Sequence, residues 1–127
     1  MYYKQLPIWQ KSQTLLLEIE KIVRGFSRYH KYSMGLELRQ SGLRLCKAIH
    51  RALTRKKSKM KLIQLMTELI DDIKFQLQLA KKLQAFNGFA QFQLLTELVV
   101  SLGKQAGGWY KKARAEAGYN RPQSGRL

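Results

Sequence analysis

The sequence predicts an all-α protein, an antiparallel up-down-up-down four-helix bundle. Proline occurs only at positions 7 and 122, so no residue between them is barred from a helix. Apolar residues recur every three or four positions along almost the whole chain, which is typical of helices with one buried face. The breaks in this pattern are short, and short connections make successive helices pack antiparallel.

The first two predicted helices flank a polar connection. The first runs from about Pro7 to Phe26, because proline fits a first-turn position where its missing N–H costs nothing. Residues 27–32 are expected to be a loop, and Ser33 is the expected N-cap of the second helix. That helix runs from about residue 34 to residue 54.

The third and fourth predicted helices are separated by a tight turn. They run from about Lys59 to Ala85 and from about Phe89 to Ala115, and the turn at residues 86–88 contains an Asn-Gly pair. A chain of 127 residues suits one domain, in which roughly two-thirds of the unfolded surface is buried. We therefore expect a bundle over residues 1–115 and a basic, disordered tail over residues 116–127.

The charge of the chain is strongly unbalanced. Lys and Arg number 24 against 8 Asp and Glu, which gives a formal net charge of +16. Such an excess predicts an anionic partner: nucleic acid first, an acidic protein surface second and a membrane surface third.

Many of the cations lie in one acid-free stretch, on the second helix and directly after it. No acid occurs between Glu37 and Glu68, a stretch that contains nine Lys and Arg residues. On a helical wheel four of them fall within roughly 80°, opposite the apolar stripe: Arg44, Lys47, Arg51 and Arg55. We prefer a bound anion to the alternative of a solvated face, because unneutralised cations repel one another.

The connection before this helix alternates basic and aromatic residues over positions 28–32. Such a surface can stack bases and pair with phosphates, although Tyr29 and Tyr32 could instead cap the end of the core. The residues expected to bind nucleic acid or a partner are Arg28, Tyr29, Lys31, Arg39, Arg44, Lys47, Arg51, Arg55, Lys56 and Lys57.

The third helix has a second apolar face besides its core stripe, formed by Leu65, Phe75, Leu79, Leu83 and Phe86. A helix that is apolar on two sides is either central or at a subunit contact, and no helix of a four-helix bundle is central. We therefore expect these residues to form an oligomer interface, although they could be the flanks of one wide stripe. On the fourth helix, Gly103, Gly107 and Gly108 predict close approach by another helix.

The sequence offers no setting for catalysis, a metal or a cofactor. Cys46 and His50 are four residues apart, but two ligands do not make a zinc site. One cysteine cannot form an internal disulfide, which favours a reducing compartment. The longest run without a charged residue is 14 residues, too short to cross a bilayer, and no signal-peptide core follows the N-terminus. We expect a non-enzymatic cytoplasmic protein that has no membrane partner.

Three segments carry a resemblance to a known family: Phe26–Arg39, Cys46–Ala52 and Gly103–Trp109. Together they resemble the accessory variability determinant (Avd) of diversity-generating retroelements, over roughly residues 6–115. That family belongs with a wider set of four-helix bundle proteins encoded by intervening sequences in bacterial 23S ribosomal RNA genes.

The resemblance implies a non-catalytic bundle that assembles into a pentameric ring with a positively charged surface. It further implies binding of the element's reverse transcriptase and template RNA, in support of mutagenic retrohoming. The matching basic positions are Arg39, Arg44, Lys47, Arg51 and Arg55. The alternative is a ribosomal-RNA-associated bundle that acts without a reverse transcriptase.

Overall fold

The computed structural model describes residues 5–55 and 57–119, which form four long helices and one helix of a single turn. In chain order they are α1 (Pro7–Arg24), α2 (Arg28–Lys31), α3 (Met34–Thr54), α4 (Lys59–Lys82) and α5 (Phe89–Tyr119). No strand occurs within these two ranges. The predicted all-α class is confirmed.

Each long helix packs against two neighbours. α1 packs against α3 and α5, and α4 packs against the same two helices, so α1 and α4 lie on one diagonal of the bundle. The cores of all four helices meet along the bundle axis. The largest fully buried side chains are Leu15, Ile19, Leu38, Leu45, Ile49, Ile63, Met66, Ile70, Ile73, Leu77, Leu95 and Leu102.

The first two long helices begin where the sequence predicts, but the second lacks the predicted serine cap. Pro7 is the first residue of α1, as predicted. Ser33 precedes α3, but its hydroxyl donates to the Tyr29 carbonyl oxygen at 2.8 Å and makes no N-cap hydrogen bond. The start of α3 is therefore tied to the preceding turn rather than capped by its own serine.

The structure differs from the prediction at α2 and at the ends of three helices. α1 ends at Arg24 rather than at Phe26. The segment expected to be a loop contains α2, whose N-cap Ser27 accepts a hydrogen bond from the His30 amide at 3.4 Å. α4 ends at Lys82 rather than Ala85, because Gln84 is left-handed with φ 59°. The Ala85 amide then donates to the Ala80 carbonyl oxygen at 3.0 Å, a bond that closes the helix end.

The last helix is longer than predicted. α5 continues to Tyr119, so the first four residues of the expected tail are helical. Residues 120–127 lie outside the described residues, as does Lys56. Within the described ranges no helix is both long and apolar enough to cross a membrane.

Polar contacts between helices fix the register of the bundle. Lys11 Nζ of α1 donates to Ser101 Oγ of α5 at 2.9 Å. Gln76 Nε2 of α4 donates to Ser41 Oγ of α3, also at 2.9 Å. At one end, Asn87 Nδ2 donates to the Gly25 carbonyl oxygen at 3.1 Å, so the turn between α4 and α5 is attached to the end of α1.

The start of α3 packs against the end of α1 so closely that only glycine fits at position 35. A Cβ there would lie 2.6 Å from Val23 Cγ1 and 3.0 Å from the His30 carbonyl oxygen. We expect Gly35→Ala to lower the free energy of unfolding by about 1–3 kcal/mol, because the methyl group must displace packed atoms. Urea denaturation followed by circular dichroism measures this change.

The matched control is Gly107→Ala. No packed neighbour from the described part of the chain lies within 4 Å of a Cβ added at Gly107. This substitution should raise the free energy of unfolding by up to about 1 kcal/mol through helix propensity alone. Equal effects of the two substitutions would contradict the packing described between α1 and α3.

Candidate nucleic-acid interface

Four cations stand exposed on one face of α3 and at its C-terminal end. Its other face is buried between α1 and α4, and Leu45 and Ile49 there are fully inaccessible to solvent. Eleven residues at 1.5 Å per residue place the first and last cation about 16 Å apart. We call these residues the basic ridge: Arg44, Lys47, Arg51 and Arg55.

No acid compensates the basic ridge within the described part of the chain. α1 packs beside α3 and has two acids, Glu18 and Glu20. Glu18 pairs with Lys21 at 3.3 Å and Glu20 pairs with Arg39 at 2.8 Å, whereas no ridge cation forms an ion pair with any described residue. Because like charges repel at this spacing, an anion bound along the ridge would be stabilised.

Arg39 differs from the other cations predicted on this helix. Its Nε donates to Glu20 Oε1, and both side chains are partly exposed. A pair of this kind contributes only about 0–1 kcal/mol to stability, but it neutralises the guanidinium. Arg39 therefore differs from the residues of the basic ridge both in its position and in having an acidic partner.

An aromatic cleft borders the ridge. The Trp9 and His50 rings lie 5.7 Å apart between centroids, and with Lys47 and Arg51 they line a cleft of about 270 Å³. Cys46 also lines this cleft, with its side chain largely buried. Rings beside cations are the combination that single-stranded RNA binders use for bases and phosphates.

The predicted residues on α2 lie near the opposite end of α3 from Arg55. Tyr29 is 77% exposed and Tyr32 68% exposed, so the alternative in which they cap the core is wrong. Arg28 is exposed, and Lys31 lines a small cleft together with Arg39. The structure thus divides the predicted binding residues into two groups. Lys57 is exposed near the ridge end, and Lys56 is not described.

Most of the predicted oligomer face is accessible on α4. Phe75 is 66% exposed, Leu65 and Leu83 are exposed, and Leu79 is half-buried. Phe86 is the exception, because it is half-buried in the connection that follows α4. Its ring packs against Phe26 at 5.4 Å and Phe92 at 5.9 Å between centroids, so it belongs to the end of the core.

The sequence predicts that another helix lies close to the glycines of α5, and the described chain does not show this. A Cβ at Gly103 would meet Lys74 Nζ at 3.5 Å, which is ordinary contact. At Gly107 and Gly108 nothing of the described chain lies within 4 Å. The expected close approach is therefore absent at these two positions within the described chain.

The predicted binding residues leave out a second group of cations, which α4 and α5 bring together. Lys59 begins α4, and Lys104 and Lys112 lie on α5 around Gly108 and Trp109; all five residues line one cleft. The spacing of four residues between positions 104, 108 and 112 already indicates from the sequence that these α5 residues share one face of the helix. Lys59 could be added only from the fold.

Cys46 is part of the core rather than a reactive or ligating group. Its thiol donates to the Ser12 carbonyl oxygen at 3.3 Å. Among residues 5–55 and 57–119 no group of three or more His, Cys, Asp or Glu side chains could hold a metal ion. Burial raises the pKa of the Cys46 thiol, because the thiolate would lose its hydration.

The comparisons with known proteins agree with this architecture. A family model described as bAvd-like matches residues 6–113, which include α1 to α4 and most of α5. No curated protein matches the chain. The matched family is one of non-catalytic accessory proteins.

Cys46 should be poorly reactive in the folded protein. A raised pKa leaves less thiolate at pH 8, and the thiolate is the nucleophile. We expect iodoacetamide to alkylate Cys46 more than about tenfold more slowly in the native protein than in urea, as followed by mass spectrometry. Equal rates in the two conditions would contradict the burial of this side chain.

Proposed function

The chain belongs to the bAvd-like family, and we propose that it is the accessory protein of a diversity-generating retroelement. In this role it binds the template RNA and the reverse transcriptase of the element and supports mutagenic retrohoming. The resemblance to Avd supports the reverse transcriptase as partner. The observation that carries RNA binding is the basic ridge, which has no compensating acid among the described residues.

The chemistry of the ridge suits a phosphate backbone. Three of its four cations are arginines, whose planar guanidinium groups can bind phosphate oxygens through two hydrogen bonds. The ridge extends for about 16 Å, long enough for several successive phosphates of a strand. The cleft at Trp9 and His50 places ring surfaces beside those phosphates, where unstacked bases can be held.

The outer row of α4 supports assembly into a homo-oligomer, a pentamer by resemblance. Leu65, Phe75 and Leu79 share one row of the helix with Glu68 and Asp72, which lie between Leu65 and Phe75. Neither acid forms an ion pair within the described ranges. An apolar row that also has unpaired acids is complementary to a different, cationic face of a second copy, and contacts between unlike faces can close into a ring.

Reversal of three ridge charges tests RNA binding. We expect Arg44→Glu, Lys47→Glu and Arg51→Glu together to weaken single-stranded RNA binding by at least about a hundredfold, because three phosphate contacts are lost. The slope of log affinity against log salt should become shallower by about 2. Fluorescence anisotropy over a salt series measures both quantities.

The matched control reverses three exposed cations elsewhere, Lys74 and Lys82 on α4 and Lys111 on α5. The net charge change is identical, so a purely global electrostatic effect would weaken binding equally in both variants. An equal loss would contradict the ridge as the site. RNA binding by a chain that fails to co-purify with the co-expressed reverse transcriptase would favour the ribosomal-RNA alternative.

Phe75→Glu tests the assembly. A pentamer of the 14.8-kDa chain has a mass of about 74 kDa by light scattering in high salt. We expect the substitution to reduce the mass to that of one chain, because it places a charge in an apolar contact. Leu17→Glu on α1 is the control, since Leu17 is 65% exposed and Phe75 is 66% exposed. A wild-type mass of 14.8 kDa would contradict the oligomer.

A further inference from the structure

A cleft of about 540 Å³ opens at the end of the bundle where α3 connects to α4. It lies between the beginnings of α1 and α4, the end of α3 and the later half of α5. Its apolar wall comes from Leu6, Pro7, Ile8, Leu53, Trp109 and Ala113. The volume is that of a site for a small organic molecule or for one unit of a polymer.

Three lysines surround this apolar wall. Lys59, Lys104 and Lys112 line the cleft, and Glu116 is the single acid among its lining residues. Lys104 and Lys112 are eight residues apart on α5, which separates them by about 12 Å along the helix axis. The two lysines therefore flank Gly108 on α5, and Glu116 lies one helical turn beyond Lys112.

The middle of the cleft suits a flat ring. Trp109 is half-buried, and Lys59 Nζ lies 6.0 Å from the centre of its ring, so a cation stands within reach of anything held against the indole. A Cβ added at Gly108 would have no neighbouring side chain of residues 5–55 or 57–119 within 4 Å. The Gln105 side chain also lines the cleft, and its Oε1 is buried without a hydrogen-bond partner in the described chain.

We propose that this cleft binds one unpaired nucleotide. The base stacks on Trp109, and Lys104 and Lys112 pair with the phosphates on either side. An apolar partner would leave the lysines without a counter-charge, and a simple anion would leave the Trp109 wall exposed to water. If the nucleotide is part of a strand, this inference rests on the proposed RNA binding. A free nucleotide offers the same base and phosphate chemistry and is the other possible source of the ligand.

The test uses Trp9→Phe protein, in which Trp109 is the one remaining tryptophan. Its fluorescence is titrated with an oligoadenylate of about eight nucleotides, with the same strand lacking its bases, and with adenosine monophosphate. We expect the oligoadenylate to quench the fluorescence and to bind roughly fivefold to a hundredfold more tightly than the abasic strand, the range that one stacked base contributes. Quenching by the monophosphate at similar concentrations would assign the cleft to free nucleotides.

Gly108→Leu fills the cleft without a clash at Cβ and without a loss of helix propensity. It should weaken oligoadenylate binding by roughly fivefold or more, the contribution of one stacked base, and leave abasic binding unchanged. Gly107→Leu is the matched control, because Gly107 is equally unobstructed and does not line the cleft. Circular dichroism and light scattering establish that both variants keep the helicity and mass of the parent.

Two results would overturn the inference: equal affinity of the parent for the oligoadenylate and the abasic strand, or equal effects of the two leucine substitutions. If the proposed RNA binding by the ridge were wrong, a different result would be observed. In that case reversal of the ridge charges at Arg44, Lys47 and Arg51 would leave abasic-strand binding unchanged, whatever happens at Gly108.

Discussion

The burial of one face of α3 between α1 and α4 is the constraint on which the rest of the surface depends. Leu38, Leu45 and Ile49 are fully buried, and the contacts of Gly35 and Gly42 with α1 side chains hold the helix close to its neighbour. Because interiors are close-packed, α3 cannot rotate about its axis without loss of these contacts. The ridge cations on its opposite face therefore face away from the core.

The outward orientation of the ridge cations matters because few acids are present to neutralise them. The two acids of α1 pair with Lys21 and Arg39, both outside the basic ridge. Glu68 and Asp72 on α4 form no ion pair with any described residue, although cations outnumber acids three to one in the sequence. The positive charge of the basic ridge is thus not neutralised by an ion pair with any described residue. An uncompensated row of cations produces a positive field, which favours association with an anionic partner.

Helical periodicity was sufficient to predict the four long helices, the bundle and the exposed ridge, because each depends on residues within one helix. What could not be predicted depends on contacts distant in sequence or on unusual backbone. The Arg39–Glu20 pair joins residues 19 apart, and the α4 end depends on Gln84 in a left-handed conformation more typical of glycine. The packing of Phe86 on Phe26 likewise depends on contact between the end of α1 and the connection from α4 to α5.

The position of the nucleotide cleft relative to the ridge connects the two proposals. Arg55 ends the ridge, Leu53 and Lys59 line the cleft, and these residues flank the same connection between α3 and α4. Lys57 is exposed within that connection. A strand whose phosphates follow the ridge toward Arg55 would reach the cleft at this end of the bundle, where the lysines continue the positive charge and Trp109 offers a ring surface in addition to those of Trp9 and His50. The ridge would then supply salt-dependent affinity, whereas the cleft would require an unpaired base, so that duplexes and bare polyanions bind through the ridge alone.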